Sequence, residues 1–316
     1  MKYLLARVLV ALGVALGVAL GVSLAAQQPD QKPAADAPDT RIVLEVNRVD
    51  MLFTVTDKKG RFITDLGKDD FAVFENRRPQ NIQEFTAESD LPLRIAILID
   101  TSNSIRDRFK FEQQAAVDFI NSVIRRGQDR AMLVSFDSSA ELVADLIDDP
   151  DKLAEAIRSL RPGGGTALFD ALYYACRDKL QLDKPRYRFR RAVIIVSDGD
   201  DNQSRVSRDQ ALEMAQKADA VIYCISTNIS HIESDGDKIL KYLALETGGQ
   251  SFFPFKAEDL AQSFENIANE LRHQYAIFYR PDPFHTDGLY HTVDLRVKNR
   301  HDVVVRARKG YYAPKM

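Results

Sequence analysis

Hydrophobic and polar positions follow three successive patterns along this chain, and each predicts a different kind of element. Between residues 42 and 85 the apolar positions fall in short alternating runs: Ile42-Val-Leu-Glu-Val, Met51-Leu-Phe-Thr-Val-Thr, Phe71-Ala-Val-Phe and Ile82-Gln-Glu-Phe. Lys59-Gly60 and Arg78-Pro79 separate these runs as turn signals, so the segment reads as antiparallel strands of a small β module. From Leu93 the pattern changes to continuous apolar runs, of the kind found in strands buried on both faces, alternating with amphipathic helical periods. Strands are expected at 93–100, 131–136, 142–147, 192–196, 221–225 and 251–255. Helices are expected at 109–125, 151–160, 167–180, 208–218, 238–246 and 257–272.

Strands that alternate with helices imply crossover connections and a mainly parallel sheet covered on both faces. The fold class is therefore α/β, a doubly wound, Rossmann-like sheet. After residue 272 the pattern returns to clean alternation at 274–279, 292–297 and 303–307, with Pro281, Pro283 and Asp287-Gly288 between the runs. Neither this tail nor the N-terminal β stretch has enough strands for a core of its own. The expectation is that they pair into one β-sandwich-like module with the α/β domain inserted between them; the alternative is two separate appendages on the sheet domain. The domain reading is 41–91 for the N-terminal β module, 92–272 for the α/β domain and 273–316 for the C-terminal β segment.

Residues 27–40 are rich in Pro, Ala and Gln without apolar periodicity and read as a flexible linker. Ahead of them, Lys2 and Arg7 precede an apolar stretch from Val8 to Ala26 that ends in Ser23-Leu24-Ala25, a small-x-small pattern. Residues 1–26 are thus an export signal or an uncleaved N-terminal anchor, since the stretch approaches the roughly 20 residues that span a bilayer. The expected location is exported: periplasmic, cell-surface or secreted. Gly13, Gly17 and Gly21 share the spacing that packs membrane helices, but a repetitive signal explains them more simply.

With 316 residues and 45% hydrophobic content the chain is an ordinary globular one. Removing residues 1–26 takes away Lys2 and Arg7 and no acid, which moves the formal charge from −3 to −5. Such a chain offers no electrostatic case for nucleic acid. The local run Lys184, Arg186, Arg188, Arg190 and Arg191 reads as a solvated loop and strand entry. Cys176 and Cys224 fall in a helical and a strand pattern and are expected to be two buried thiols rather than a bridge.

The chemistry concentrates where the first buried strand ends. Asp100, Ser102 and Ser104 place three small oxygen donors at alternating positions, which suits a hard divalent cation that keeps part of its water shell. The same residue types also serve as turn and cap residues, so partners elsewhere must decide. Open parallel sheets bind ligands beyond the carboxyl ends of their strands, where the strand order reverses. Two further segments should reach that edge: Gly163-Gly-Gly-Thr166, which opens a helix, and Ser197-Asp198-Gly199, which closes a second buried strand. In a 3-2-1-4-5-6 strand order the strands ending at Asp100 and Asp198 are neighbours at the reversal point, and all five oxygens can converge.

Taken together, Asp100-x-Ser102-x-Ser104, Thr166 in a Gly-Gly-Thr setting and Ser197-Asp198-Gly199 resemble the metal-ion-dependent adhesion site of von Willebrand factor type A (VWFA) domains. The resemblance covers about residues 93–272. The flanks Val55-Thr-Asp-Lys-Lys-Gly60, Asp70-Phe71, Pro79-Gln80 and Arg306-Ala-Arg-Lys-Gly-Tyr311 look like the exported bacterial VWFA-related group. It implies that Asp100, Ser102, Ser104 and Thr166 contact Mg²⁺, or Mn²⁺ or Ca²⁺ in its place, directly or through water, and that Asp198 helps from outside. It also implies a protein partner that supplies an acidic side chain, and no catalysis. Membrane contact is expected only through the N-terminal segment.

Two other readings stand beside it. A metal-assisted hydrolase would need a base, yet the five histidines lie late in the chain, and no phosphate-binding glycine loop or nucleophile elbow occurs. A structural or assembly component with a non-functional site would show no metal dependence. Asp200 and Asp201 read as a solvated acidic loop, Asp170 as either support for the site or a helix N-terminal charge, and Asp235-Gly-Asp237 as a turn.

Overall fold

The computed structural model describes residues 48–87, 91–106, 108–183, 188–230 and 232–315. The signal or anchor, the linker and the strand expected at 42–46 lie outside the described residues, as do Lys184 and Arg186 of the basic run. The chain begins with β1 (Val49–Asp57), β2 (Phe71–Glu75), β3 (Arg78–Gln80) and β4 (Ile82–Thr86). The α/β part follows as β5 (Leu93–Asp100), α1 (Phe109–Val123), β6 (Arg130–Phe136), β7 (Ala140–Ile147), α2 (Pro150–Ser159) and α3 (Leu168–Tyr174), which runs on into a π-helical turn at Ala175–Leu180. It continues through β8 (Arg190–Ser197), α4 (Arg208–Lys217), β9 (Ala220–Ser226), α5 (Asp235–Thr247), β10 (Ser251–Phe252) and α6 (Ala257–Arg272). The strands β11 (Tyr275–Tyr279), β12 (Tyr290–Val297), β13 (Val303–Ala307) and β14 (Gly310–Tyr312) close it.

The central sheet has the order β10-β9-β8-β5-β6-β7, which is the expected reversal between β5 and β8. Its pairings are parallel except for β7, which runs antiparallel to β6 at the edge. Every residue of β5, β8 and β9 is buried, as continuous apolar runs require. Ile95, Ile97 and Ile99 pack with Phe119, Ile120 and Phe264 on one face, while Ala96 and Leu98 pack with Leu168, Leu172 and Leu243 on the other. Cys176 and Cys224 share this second cluster as free, buried thiols.

Local chemistry sets the helix starts. Asp149 caps α2 by accepting from the backbone N–H groups of Asp151 and Lys152, with Pro150 in the first turn. In α5, Ser234 Oγ accepts from Asp237 N at 2.9 Å and the Asp237 carboxylate accepts from Ser234 N at 2.9 Å. This reciprocal capping box starts the helix at Asp235, so residues 235–237 are its first turn and not the isolated turn expected from the sequence.

Strands from both ends of the chain mix in two further sheets, of order β13-β1-β11-β4 and β14-β12-β2-β3. β1 pairs with β11 and β13, and β2 with β12, so each half completes the other. Their facing residues, among them Met51, Phe53, Phe71, Tyr275, Ile277 and Leu295, form one core. Phe53 meets Phe71 edge-on at 5.0 Å. Arg78-Pro79 is not the turn: Asn76 and Arg77, both at positive φ, make it, and Pro79 sits in the short strand β3 at the sheet edge, where its missing N–H costs no ladder bond. A buried link joins this module to the α/β part. Glu270 of α6 accepts from Thr54 Oγ1 of β1 at 3.0 Å and from Arg306 of β13 at 3.1 and 3.2 Å.

Candidate functional site

The parallel register that pairs Ile99 with Val196 carries Asp100 and Ser197 out of the sheet side by side. Asp100 is fully buried. One of its carboxylate oxygens accepts from Ser102 N at 2.8 Å and the other from Ser197 Oγ at 2.7 Å. Ser102 and Ser104 share a hydroxyl–hydroxyl bond of 2.9 Å, and Ser104 Oγ donates to Asp198 Oδ2 at 2.8 Å. The set runs from buried Asp100 and Ser102 to half-buried Asp198 and exposed Ser104, so it opens to solvent on the Ser104 side.

Thr166 arrives through backbone contacts. Gly163 N donates to Thr101 O at 2.6 Å and the Asn103 amide to Gly164 O at 3.2 Å, which straps the glycine loop onto the first loop. On its other side Thr166 N donates to Asn202 Oδ1 at 3.1 Å, and Thr166 O accepts from Asn202 N and Gln203 N at 3.0 Å each. The threonine is thus held between the loops that bear Asp100 and Asp198, with no side-chain bond between its hydroxyl and the other four.

Two residues that the sequence reading left without a role prove to be structural partners. Ser197 bonds Asp100 and also accepts from Gly199 N at 3.0 Å, so it ties the two strand ends together. Its position in Ser197-Asp198-Gly199 was the available signal. Asn202 had none, because an amide in an acidic loop looks like any turn residue. Asp201 is not simply solvated: it accepts from Phe169 N at 3.0 Å and Ser204 Oγ at 2.6 Å, supplying the cap that Ala167 cannot give α3. Asp170 accepts from the Arg205 and Val206 N–H groups at 3.0 Å and anchors the loop ahead of α4.

Charge at this edge is predominantly negative. Burial pushes the Asp100 carboxyl up to about 6, against its bonds from Ser197 and Ser102 and with Asp198 adding to the shift. Asp200 is likewise raised, by burial first and then by Asp198, Asp235 and Asp237. Beneath the site, Glu112 of α1 is buried, and among the described residues neither of its carboxylate oxygens has a hydrogen-bond partner. Burial raises it to about 8, opposed by Arg108 and reinforced by Asp100 and Asp198. Hard oxygen donors converging on uncompensated carboxylates are the composition that a divalent cation requires, so the residues present fit one.

Residues 95–200 match the family described as von Willebrand factor type A domain. No curated protein matches the chain. Among solved structures, "von Willebrand factor type A" from Catenulispora acidiphila superposes with a TM-score of 0.51 at 16% identity, covering 78% of this chain and 73% of that one. The conserved hypothetical protein BatB from Bacteroides thetaiotaomicron gives 0.45 at 14% identity, over 57% of this chain and 98% of that one. Proximal thread matrix protein 1 from the mussel byssus, solved with a zinc-occupied MIDAS motif, gives 0.49 at 19% identity, over 61% of this chain and 48% of that one. At these identities the likeness is one of fold.

Proposed function

We propose, from the premise that this chain carries a von Willebrand factor type A domain, that the domain is an exported protein-binding module of adhesion or assembly. It holds a divalent cation, Mg²⁺ or a related ion, at Asp100, Ser102, Ser104, Thr166 and Asp198, and takes an acidic side chain of a protein partner there. The observation that carries this reading is the connected set from Asp100 through Ser102 and Ser104 to Asp198, buried at one end and open at the other.

Three of the five residues offer neutral hydroxyls and two offer carboxylates. A cation held this way stays electrophilic and keeps exchangeable waters, one of which a partner's carboxylate can replace. Thr166 contributes a hydroxyl that is not committed to the other four. Asp198 is pinned by Ser104 and by Asp200 N, which donates to its second oxygen at 3.2 Å. No histidine bonds Ser102 or Ser104 among the described residues, which favours binding over acyl-transfer chemistry. The rim suits a protein surface. Ile229 and Ile232, 64% and 78% exposed, lie on the loop after β9, the neighbour of β8, which Asp198 directly follows.

Export rests on residues 1–26. Among the described residues no helix is long and apolar enough to cross a membrane. The test is affinity capture from the native envelope in Mg²⁺ with elution by chelator, alongside calorimetry. Wild type should show a saturable Mg²⁺ or Mn²⁺ heat and release its partner to chelator, and Asp100→Ala should lose both. Equal capture by wild type and Asp100→Ala would refute the site as the contact.

A further inference from the structure

A second cluster of ligand-type side chains lies in the β module, away from the edge that bears Asp100. Glu75 at the end of β2, His291 in β12 and His285 in the loop before β12 bring one donor atom each within 4.8 Å of one another. Glu75 and His291 are buried and His285 is half-buried. The His285 and His291 rings stack with centroids 4.3 Å apart.

The surroundings prepare these groups in a specific way. Asn76 Oδ1 accepts from Thr292 N and Oγ1 at 3.1 and 3.2 Å, which orients its amide so that Nδ2 donates to His291 Nδ1 at 2.8 Å. Nδ1 therefore carries the lone pair, 3.9 Å from Glu75 Oε1, and the proton sits on Nε2. Nε2–H donates to Asp287 Oδ1 at 3.1 Å. A carboxylate behind the far nitrogen of an imidazole is the usual support of a metal-binding histidine, because it fixes the tautomer and makes the near nitrogen more basic.

Glu75 completes the case. Its two oxygens accept from Tyr279 Oη at 2.8 Å and Tyr311 Oη at 3.2 Å, and burial first, then Glu75 itself, keeps both phenols protonated as donors. Among the described residues the basic group nearest to it is the neutral His291 ring, while the guanidinium of nearby Arg308 donates to Asp219 and Asp50 O and not to Glu75. A buried carboxylate so placed gains from a cation.

We propose that Glu75, His285 and His291 form a binding site for a first-row transition-metal cation of the Zn²⁺ kind, distinct from the oxygen-only site at Asp100. Two imidazoles and one carboxylate leave a coordination position open and select against Mg²⁺, which prefers oxygen. The ion competes with the Asn76 amide for the His291 lone pair and clips the β11–β12 loop onto β2, so binding stabilises the module.

Calorimetry with ZnCl₂ and with MgCl₂ on the full chain tests this, with Asp100→Ala as background to silence the first site. The expected result is one saturable Zn²⁺ equivalent with a raised Tm, no Mg²⁺ heat, loss of the Zn²⁺ heat on adding His285→Ala, and weakening of about 10- to 100-fold on adding Asp287→Asn. His285 is only half-buried, so its substitution leaves the fold testable. Should Asp100→Ala fail to fold, wild type and His285→Ala compared in excess Mg²⁺ give the same reading. No saturable Zn²⁺ heat, or an undiminished heat in folded His285→Ala, overturns the proposal.

Discussion

Gly199 and Gly236 meet backbone to backbone: a Cβ on Gly199 would lie 2.3 Å from the Gly236 carbonyl oxygen, and one on Gly236 would lie 2.2 Å from the Asp198 carbonyl oxygen. The loop carrying Asp198 is thus seated directly on the first turn of α5, which Ser234 and Asp237 hold in place. Gly199 also needs its left-handed φ of 81°.

Gly236→Ala is therefore expected to destabilise the protein by about 1–3 kcal/mol, as overpacking does, and to weaken metal binding by displacing Asp198. Gly163→Ala is the control, since a Cβ there meets nothing within 4 Å and φ is not positive. Urea unfolding and Mg²⁺ calorimetry on both variants check this; equal stability and affinity in Gly236→Ala would show that the seat is dispensable.

The contact also shows why the sequence could be read only so far. The strand order and the grouping of Asp100, Ser102, Ser104 and Asp198 were legible because these residues end or closely follow buried parallel strands, and the period of the pattern marks where those strands end. The first turn of α5 was not: Asp235-Gly-Asp237 has turn composition, and it becomes helix because Ser234 and Asp237 satisfy each other's backbone donors. The Arg78-Pro79 signal misled for a related reason, as edge strands accept proline and the turn fell to Asn76 and Arg77. Strand β14 was missed because three residues carry too little alternation. Glu112 sits on the apolar stripe of α1 among residues that are buried, and its lack of a partner is a property of packing alone.

Glu270 and Arg306 couple the last helix of the α/β part to the β module across a largely buried pair. Arg306→Ala leaves Glu270 buried with Thr54 as its remaining partner, at an expected cost of about 3–5 kcal/mol. Replacing both by leucine should recover most of that loss, because an apolar pair leaves no charge uncompensated. Denaturant unfolding of the single and double variants decides it. A single variant no less stable than wild type would mean that the two parts hold together without this link.

Glu112 predicts a pH dependence with a defined sign. Its folded pKa is raised from 4.5 to about 8, so between these values the native state binds a proton that the unfolded chain has released. The associated stability is present in full below pH 4.5 and is lost as pH rises towards 8, by on the order of a few kcal/mol. Glu112→Gln keeps the shape and removes the titration. Asp100, up at about 6, titrates within the same window in both proteins, so the difference between their curves reports Glu112 together with its coupling to Asp100. Asp129 does not intrude. Burial would raise it, but bonds from Arg125, Leu93 N and Arg272 outweigh that and hold it at about 2, so its contribution is lost only in acid below the window. Unfolding free energies in chelator at pH 5 and pH 8 should show wild type falling relative to Glu112→Gln. Parallel curves would mean that Glu112 is already ionised in the fold.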